Sequence, residues 1–140
     1  MKFRDYFSIK HILFGIGIVA LMMVFAFYQS GNMVKVTLDE DSIYVYSKLY
    51  NMDIVYSDIS KAELTTLEEP GEEVQDAFDD GTLVAGVWKN EAWGEYHCCI
   101  DPDTANCVVI TLNDGRTMVF SRKDGETTAK LFHELMDHLS

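Results

Sequence analysis

The pattern of hydrophobic and polar residues divides the chain into three parts. Residues 12–28 contain no charged side chain, and their apolar character surrounds the predicted helix on every side. From Val34 onward the hydrophobic period changes to two, the spacing of a β-strand with one buried face. Near the C terminus apolar residues recur at helical spacings of three and four, at Leu131, Phe132, Leu135, Met136 and Leu139.

The uncharged stretch at residues 12–28 predicts a transmembrane helix. Its 17 residues reach the lower limit of the roughly 17–25 residues that cross a bilayer core. A cleaved export signal and a buried core helix are the alternatives. Cleavage after Ser30 or Gly31 would place Tyr28 or Gln29 where a signal peptidase needs a small residue, which favours an uncleaved anchor.

Charge on either side of this stretch predicts an orientation. Lys2, Arg4 and Lys10 precede it, whereas an acidic sequence follows soon after it. Basic residues stay on the cytoplasmic side, so the sequence predicts a cytoplasmic N terminus at residues 1–11 and a short linker at 29–33. The domain at residues 34–139 is then extracytoplasmic, in a single-pass protein of the cell membrane.

Seven or eight short strands are predicted between residues 34 and 121. The alternation in VKVTL and IYVYS predicts a first hairpin, and the tight-turn sequence Asn113-Asp114-Gly115 predicts the last one. Residues 68–81 interrupt this pattern with seven acidic residues and no basic one, which predicts a long acidic loop. The last element is an amphipathic helix at about residues 125–139, capped by Asp124.

The charge distribution excludes two classes of partner. Residues 1–30 carry Lys2, Arg4 and Lys10 against Asp5, a net charge of +2, so the remainder carries −14 of the total of −12. Nucleic acids and anionic lipids of the phosphoinositide type both require clustered Lys and Arg. We therefore expect neither to bind the body of the protein.

Several segments of the body together resemble the bacterial pleckstrin-homology-like domains of small membrane proteins. The resemblance covers about residues 34–139. It implies a mainly β fold, a strongly bent antiparallel barrel of about seven strands with one end capped by the C-terminal helix. It also implies a binding or scaffolding role without catalysis. The segments that carry it are IVYSDI at 54–59, LVAG at 83–86, Trp93-Gly94, the hairpin at 110–121, and Leu135 with Leu139.

The cysteines allow two interpretations. A hairpin centred on Asp103 would place Cys99 opposite Cys107, within reach of a disulfide. An extracytoplasmic location would permit its oxidation. The alternative is that Cys98, Cys99 and Cys107 are buried thiols, as free cysteines often are.

Two tryptophans form a candidate aromatic patch. Trp88 and Trp93 flank the tetrapeptide KNEA symmetrically, so we expect them to pair across a hairpin, with Tyr96 on the opposite face from Trp93. An exposed pair would bind a peptide or a sugar, whereas an inward pair would belong to the core. The pattern favours the core.

The acidic loop is the other candidate site, since Asp76, Asp79 and Asp80 could hold a divalent cation. Their spacing does not match an EF-hand loop, and a solvated acidic surface is the alternative interpretation. His133 and His138 are five residues apart and therefore lie on different helix faces, unlike a zinc-protease pair. No nucleophile, phosphate-binding or dinucleotide-binding motif occurs, so no cofactor is expected.

The sequence therefore predicts a non-catalytic, membrane-anchored module for protein–protein interaction or scaffolding, through a protein partner or self-association. The alternative is an extracytoplasmic sensor whose loop at residues 68–81 binds a divalent cation or a basic polymer.

Overall fold

The computed structural model describes residues 3–31 and 34–140, with side chains at residues 10–24 and 34–140. Internal contacts divide the chain into two compact units, Met1–Asn32 and Met33–Ser140. The first unit holds one helix, and the second holds the strands and the C-terminal helix.

The first unit corrects the membrane prediction. It is the helix α1, Phe3–Gly31. Within the described residues no helix is both long enough and apolar enough to cross a membrane. The described side chains of α1 end at Val24, and residues 25–33 of the predicted span and linker lie beyond them. The predicted transmembrane helix at 12–28 is therefore not supported. The single-pass membrane location, the cytoplasmic N terminus and the extracytoplasmic domain, which all rested on it, are not supported either.

The second unit begins with a small antiparallel sheet. Its strands are β1 (Val34–Leu38), β2 (Ser42–Ser47) and β3 (Asn51–Val55), in the order β1-β2-β3. The period-two alternation places one side of each strand inward, where Ile43 and Val45 are fully buried. The predicted first hairpin is confirmed.

Six further strands form a larger sheet. A single 3-10 turn, Tyr56–Asp58, leads to β4 (Ile59–Thr66), and β5 (Glu72–Asp79), β6 (Val84–Asn90), β7 (Gly94–Ile100), β8 (Asn106–Leu112) and β9 (Thr117–Phe120) follow. Their order across the sheet is β4-β8-β9-β7-β6-β5. Strands β4 and β5 are thus its two edges.

The acidic stretch at residues 68–81 is not a long loop, because most of it forms the edge strand β5. An edge strand keeps its charged side chains in water while one side of its backbone bonds to a neighbour. Phe78 and Ala77 are its half-buried residues and pack against opposite faces of the sheet. Two register shifts against β6 lie between Glu73 and Gln75 and between Gln75 and Phe78. They interrupt the period-two alternation by which a strand is recognised in a sequence.

The turn at residues 101–105 does not join paired strands. Strand β9 lies between β7 and β8, antiparallel to β8 and parallel to β7. The predicted hairpin after β8 is confirmed: Gly115 has a φ of 93° in its turn, a conformation that glycine adopts without a Cβ penalty. The last hairpin therefore inserts into the sheet and separates β7 from β8.

The large sheet is curved and has a core on each face. A flat six-stranded sheet would separate β4 from β5 by about 24 Å, whereas the chain from Thr66 to Glu72 reaches at most about 22 Å. The sheet must therefore curl. Core 1 lies between one face of the large sheet, the small sheet and the C-terminal helix. Core 2 lies on the other face, around Tyr96, and the connection at residues 67–71 packs against it through Leu67.

The predicted seven-stranded barrel is corrected. The fold is mainly β, as expected, but nine strands divide into two sheets, and the described strands close no barrel because β4 and β5 are not hydrogen-bonded to each other. The helix α2 spans Gly125–Leu139, and the Asp124 carboxylate accepts from the Thr127 amide at 2.7 Å. Both agree with the predicted helix and cap. Helix α2 covers one face of β8 and β4.

Candidate functional site

The three cysteines are free thiols in the structure, and all are buried. Cys99 lies in core 1, next to Ala85 and Phe120 in the ladders, whereas Cys107 lies in core 2 and pairs with Thr65. The hairpin that would bring Cys99 opposite Cys107 does not form, since β9 separates their strands. This corrects the predicted disulfide.

Burial also makes these thiols poor nucleophiles. It raises the pKa of Cys99 to about 12. It likewise raises that of Cys107 to about 12, with a smaller contribution from the Glu68 carboxylate. Burial raises the pKa of Cys98 as well. Because the thiolate is the reactive form, these cysteines are packing residues.

The tryptophans do not form an exposed pair. Trp88 is 4% exposed and its ladder partner is Tyr96, while its indole N–H donates to the Ala85 carbonyl at 2.8 Å. Trp93 remains in the turn before β7 and meets the Tyr96 ring edge-on, with centroids 5.0 Å apart. Both tryptophans thus belong to core 2, and Tyr96 lies beside Trp93 rather than on the opposite face. An aromatic binding patch of Trp88 and Trp93 is not present.

The candidate cation loop is used by the fold itself. One Asp79 oxygen accepts from the Gly81 amide at 3.0 Å. An Asp80 oxygen accepts from the Thr82 hydroxyl and amide and from the Leu83 amide, and these bonds lower the pKa of Asp80. Asp76 is at a bulge of β5 with a φ of 52°. Among the residues with described side chains, no group of three or more His, Cys, Asp or Glu residues is placed to hold a metal ion.

A contact between Tyr50 and His97 was not predicted. The Tyr50 hydroxyl and His97 Nδ1 are 2.7 Å apart, and the rings stack with centroids 6.3 Å apart. Burial, with a smaller effect of Arg116, lowers the pKa of His97. When the His97 ring is neutral and carries its proton on Nε2, the Tyr50 hydroxyl donates to Nδ1. This bond joins the β2–β3 turn to β7 across 47 residues of sequence, and no local pattern indicates it.

The edge strand with the longest unbroken ladder in the domain is β4. Its register with β8 is unbroken over residues 61–66, and its one shift lies between Ile59 and Lys61. The edge strands β1 and β3 have five residues each, and the other long edge, β5, has two register shifts. Strand β4 is therefore the edge best suited to pair with another strand.

The ladder shows which groups of β4 point outward. The Leu67 amide donates to the Ala105 carbonyl at 3.2 Å, so the odd-numbered residues of β4 bond to β8 and the even-numbered ones face away. The outward groups are the N–H and C=O of Ala62, Leu64 and Thr66. Within residues 34–140 no strand pairs with this side of β4.

The half-buried side chains of Ala62 and Leu64 pack against core 1, which holds the edge in place. This surface, the outward backbone of residues 61–66, is the candidate binding site and is called the β4 edge below. Its chemistry is that of alternating donors and acceptors, which suits an extended polypeptide.

Comparison of the chain with protein-family models, with curated proteins and with solved structures finds no match in any of the three.

Proposed function

We propose that the chain is a non-catalytic binding module that takes an extended segment of a partner protein as an additional strand at the β4 edge. The observation that carries the proposal is the unbroken register of residues 61–66 of β4, which are paired with β8 on one side and with no described strand on the other. In strand addition, backbone hydrogen bonds supply affinity and alternate side chains supply specificity.

The contrast between the two edges of the large sheet supports the choice of β4. Proteins protect an exposed edge with bulges and charges, and β5 has both. Strand β4 has one shift at its beginning, followed by a regular ladder. A lysine and a glutamate are its charged residues, and they pair with each other, Lys61 Nζ to Glu63 at 3.7 Å. Strand β4 is thus the less protected of the two.

Proline at Ala62 tests the proposal. The Ala62 N–H points away from β8, so Ala62→Pro removes no ladder bond, but its ring lies where a partner strand would bond. Ala62→Val is the matched control, because it alters the side chain and keeps the N–H. Crosslinked complexes of the full-length protein would be purified from the cells that make it and identified by mass spectrometry. We expect a partner with wild type and Ala62→Val that is lost with Ala62→Pro.

Circular dichroism and thermal unfolding would establish that both variants are folded. Recovery of the same partner in equal amount by folded Ala62→Pro would contradict strand addition at β4. If Ala62→Pro does not fold, Thr66→Pro replaces it, since the Thr66 N–H also faces outward and the residue is exposed.

A further inference from the structure

The chain that follows the β4 edge is acidic and fixed in place. After Thr66 come Leu67, Glu68 and Glu69. The Glu69 carbonyl accepts from the Asn90 side chain at 3.0 Å, and the next carbonyl, that of Pro70, accepts from the Tyr96 hydroxyl at 2.7 Å. These bonds hold the connection against β6 and β7.

A glycine allows this close approach. Gly71 has a φ of +90°, and a Cβ there would lie 2.0 Å from the Lys89 carbonyl oxygen. The connection therefore rests directly on the end of β6. The backbone that carries Glu68 and Glu69 is therefore held by the fold.

The connection and the β6–β7 turn enclose a depression of about 660 Å³, called the acidic depression here. Four glutamates line it: Glu68, Glu69, Glu72 and Glu91. Lys89 is the basic residue among its described lining residues, so the lining has a net charge of −3, from four carboxylates and one ammonium.

The acidic depression adjoins the β4 edge. Glu68 lies two residues beyond Thr66, and each residue of a strand advances about 3.3 Å. The Leu67 amide still bonds to the Ala105 carbonyl at 3.2 Å, so the connection leaves the ladder only at Glu68. A segment that pairs with β4 and continues past Thr66 therefore passes close to Glu68, the first carboxylate of the acidic depression.

We propose that the segment bound at the β4 edge is basic, with lysine or arginine residues at the end that lies beside Thr66. This inference rests on the proposed function and names the chemistry of its partner. Opposite charges across a contact favour association and like charges oppose it. The charge of −14 on the chain after residue 30 adds long-range attraction for a basic partner.

The test uses two fluorescent peptides and the full-length protein. Both peptides alternate threonine and valine, and one ends in a run of lysines whereas the other ends in a run of glutamates. Each is made with its charged run at either terminus, because the direction of the added strand is open. Fluorescence anisotropy measures binding at low and at high salt. We expect the lysine peptide to bind at least about tenfold more tightly at low salt, a preference that salt reduces.

Two double variants test which carboxylates cause the preference for the lysine peptide. Glu68→Gln with Glu69→Gln should reduce it to about twofold, whereas Glu40→Gln with Glu134→Gln, which changes the charge equally at other exposed positions, should leave it unchanged. Ala62→Pro should weaken the binding of both peptides, because each needs the β4 backbone.

The outcomes separate the two proposals. Equal binding of the two peptides, lost with Ala62→Pro, would overturn the basic partner and leave strand addition in place. Binding of the lysine peptide that Ala62→Pro does not weaken would indicate attraction by charge alone and would overturn strand addition. Absence of binding by either peptide up to its solubility limit would contradict both.

Discussion

Gly86 offers a sharp test of the paired geometry of β5 and β6. It has a φ of +99°, and a Cβ at this position would lie 2.1 Å from the Asp76 carbonyl oxygen. Asp76 and Ala77 together face this one glycine, because the register passes from Gln75↔Val87 to Phe78↔Ala85. Gly86 therefore makes room for the bulge that renders β5 an irregular edge. Replacing it with alanine should disturb the bulge directly.

The size of the effect follows from two terms. Alanine in the left-handed region costs about 1–2 kcal/mol, and overpacking against a rigid backbone costs about 1–3 kcal/mol more. Gly81 is the matched control, since it has a φ of +86° but no atom within 4 Å of an added Cβ. Gly81→Ala should then show only the first term. We expect Gly86→Ala to be less stable than Gly81→Ala by about 1–3 kcal/mol.

Urea unfolding of the full-length variants, followed by tryptophan fluorescence, measures this difference. With a slope of about 2 kcal/mol per molar urea, the midpoint of Gly86→Ala should lie about 1 M below that of Gly81→Ala. Equal midpoints would refute the reasoning, because the carbonyl of Asp76 would then not occupy the space beside Gly86.

Three further predictions concern groups with specific partners. Because burial lowers the pKa of His97 below 6.5, the unfolded chain takes up this proton first. The free energy of unfolding should therefore fall as the pH decreases from about 6.5 through the lowered pKa. His97→Gln should reduce this fall in urea titrations at several pH values. If the fall is the same in His97→Gln, protonation of His97 does not cause it. Asp124→Ala should lower the free energy of unfolding by about 1 kcal/mol, whereas Asp124→Asn should retain most of it, and equal losses would count against the cap. The thiols of Cys98, Cys99 and Cys107 should react with a thiol reagent at about pH 8 only when urea is added, and rapid labelling of native protein would show that they are accessible.

Local chemistry accounts for the elements that the sequence predicted. The first hairpin follows from period-two alternation, since a shift of its register by one residue would expose Ile43 and Val45. The final hairpin follows from Asn113-Asp114-Gly115, and the helix from its apolar stripe and Asp124. Each signal lies within a few residues of the structure it determines.

Tertiary pairing accounts for the errors. Nothing in the sequence of the last hairpin indicates that β9 inserts beside β7, and this insertion is what separates Cys99 from Cys107. Strand β5 is bulged and its sequence is acidic, so the pattern predicts a loop. The strand forms nevertheless, because its charged side chains remain solvated at the edge of the sheet. The predicted barrel fails for a related reason, since closure depends on whether β4 and β5 pair.

The candidate site was only partly predictable. The segment AELTTL has the pattern of a strand, but its position at an edge depends on its pairing with β8, whose partner residues are 40 to 48 positions away in sequence. The proximity of Glu68 to this edge depends on the same pairing. Long-range register, rather than composition, therefore locates the site.

Amide hydrogen exchange along β4, with and without the lysine peptide, tests the central claim most directly. In the free protein the amides of Glu63 and Thr65 should exchange slowly, because they bond to β8, and those of Ala62 and Leu64 should exchange rapidly. Addition of the peptide should slow Ala62 and Leu64 by at least about tenfold and leave Val74 on β5 unchanged. Protection of Val74, or binding without any change at Ala62 and Leu64, would contradict strand addition at the β4 edge.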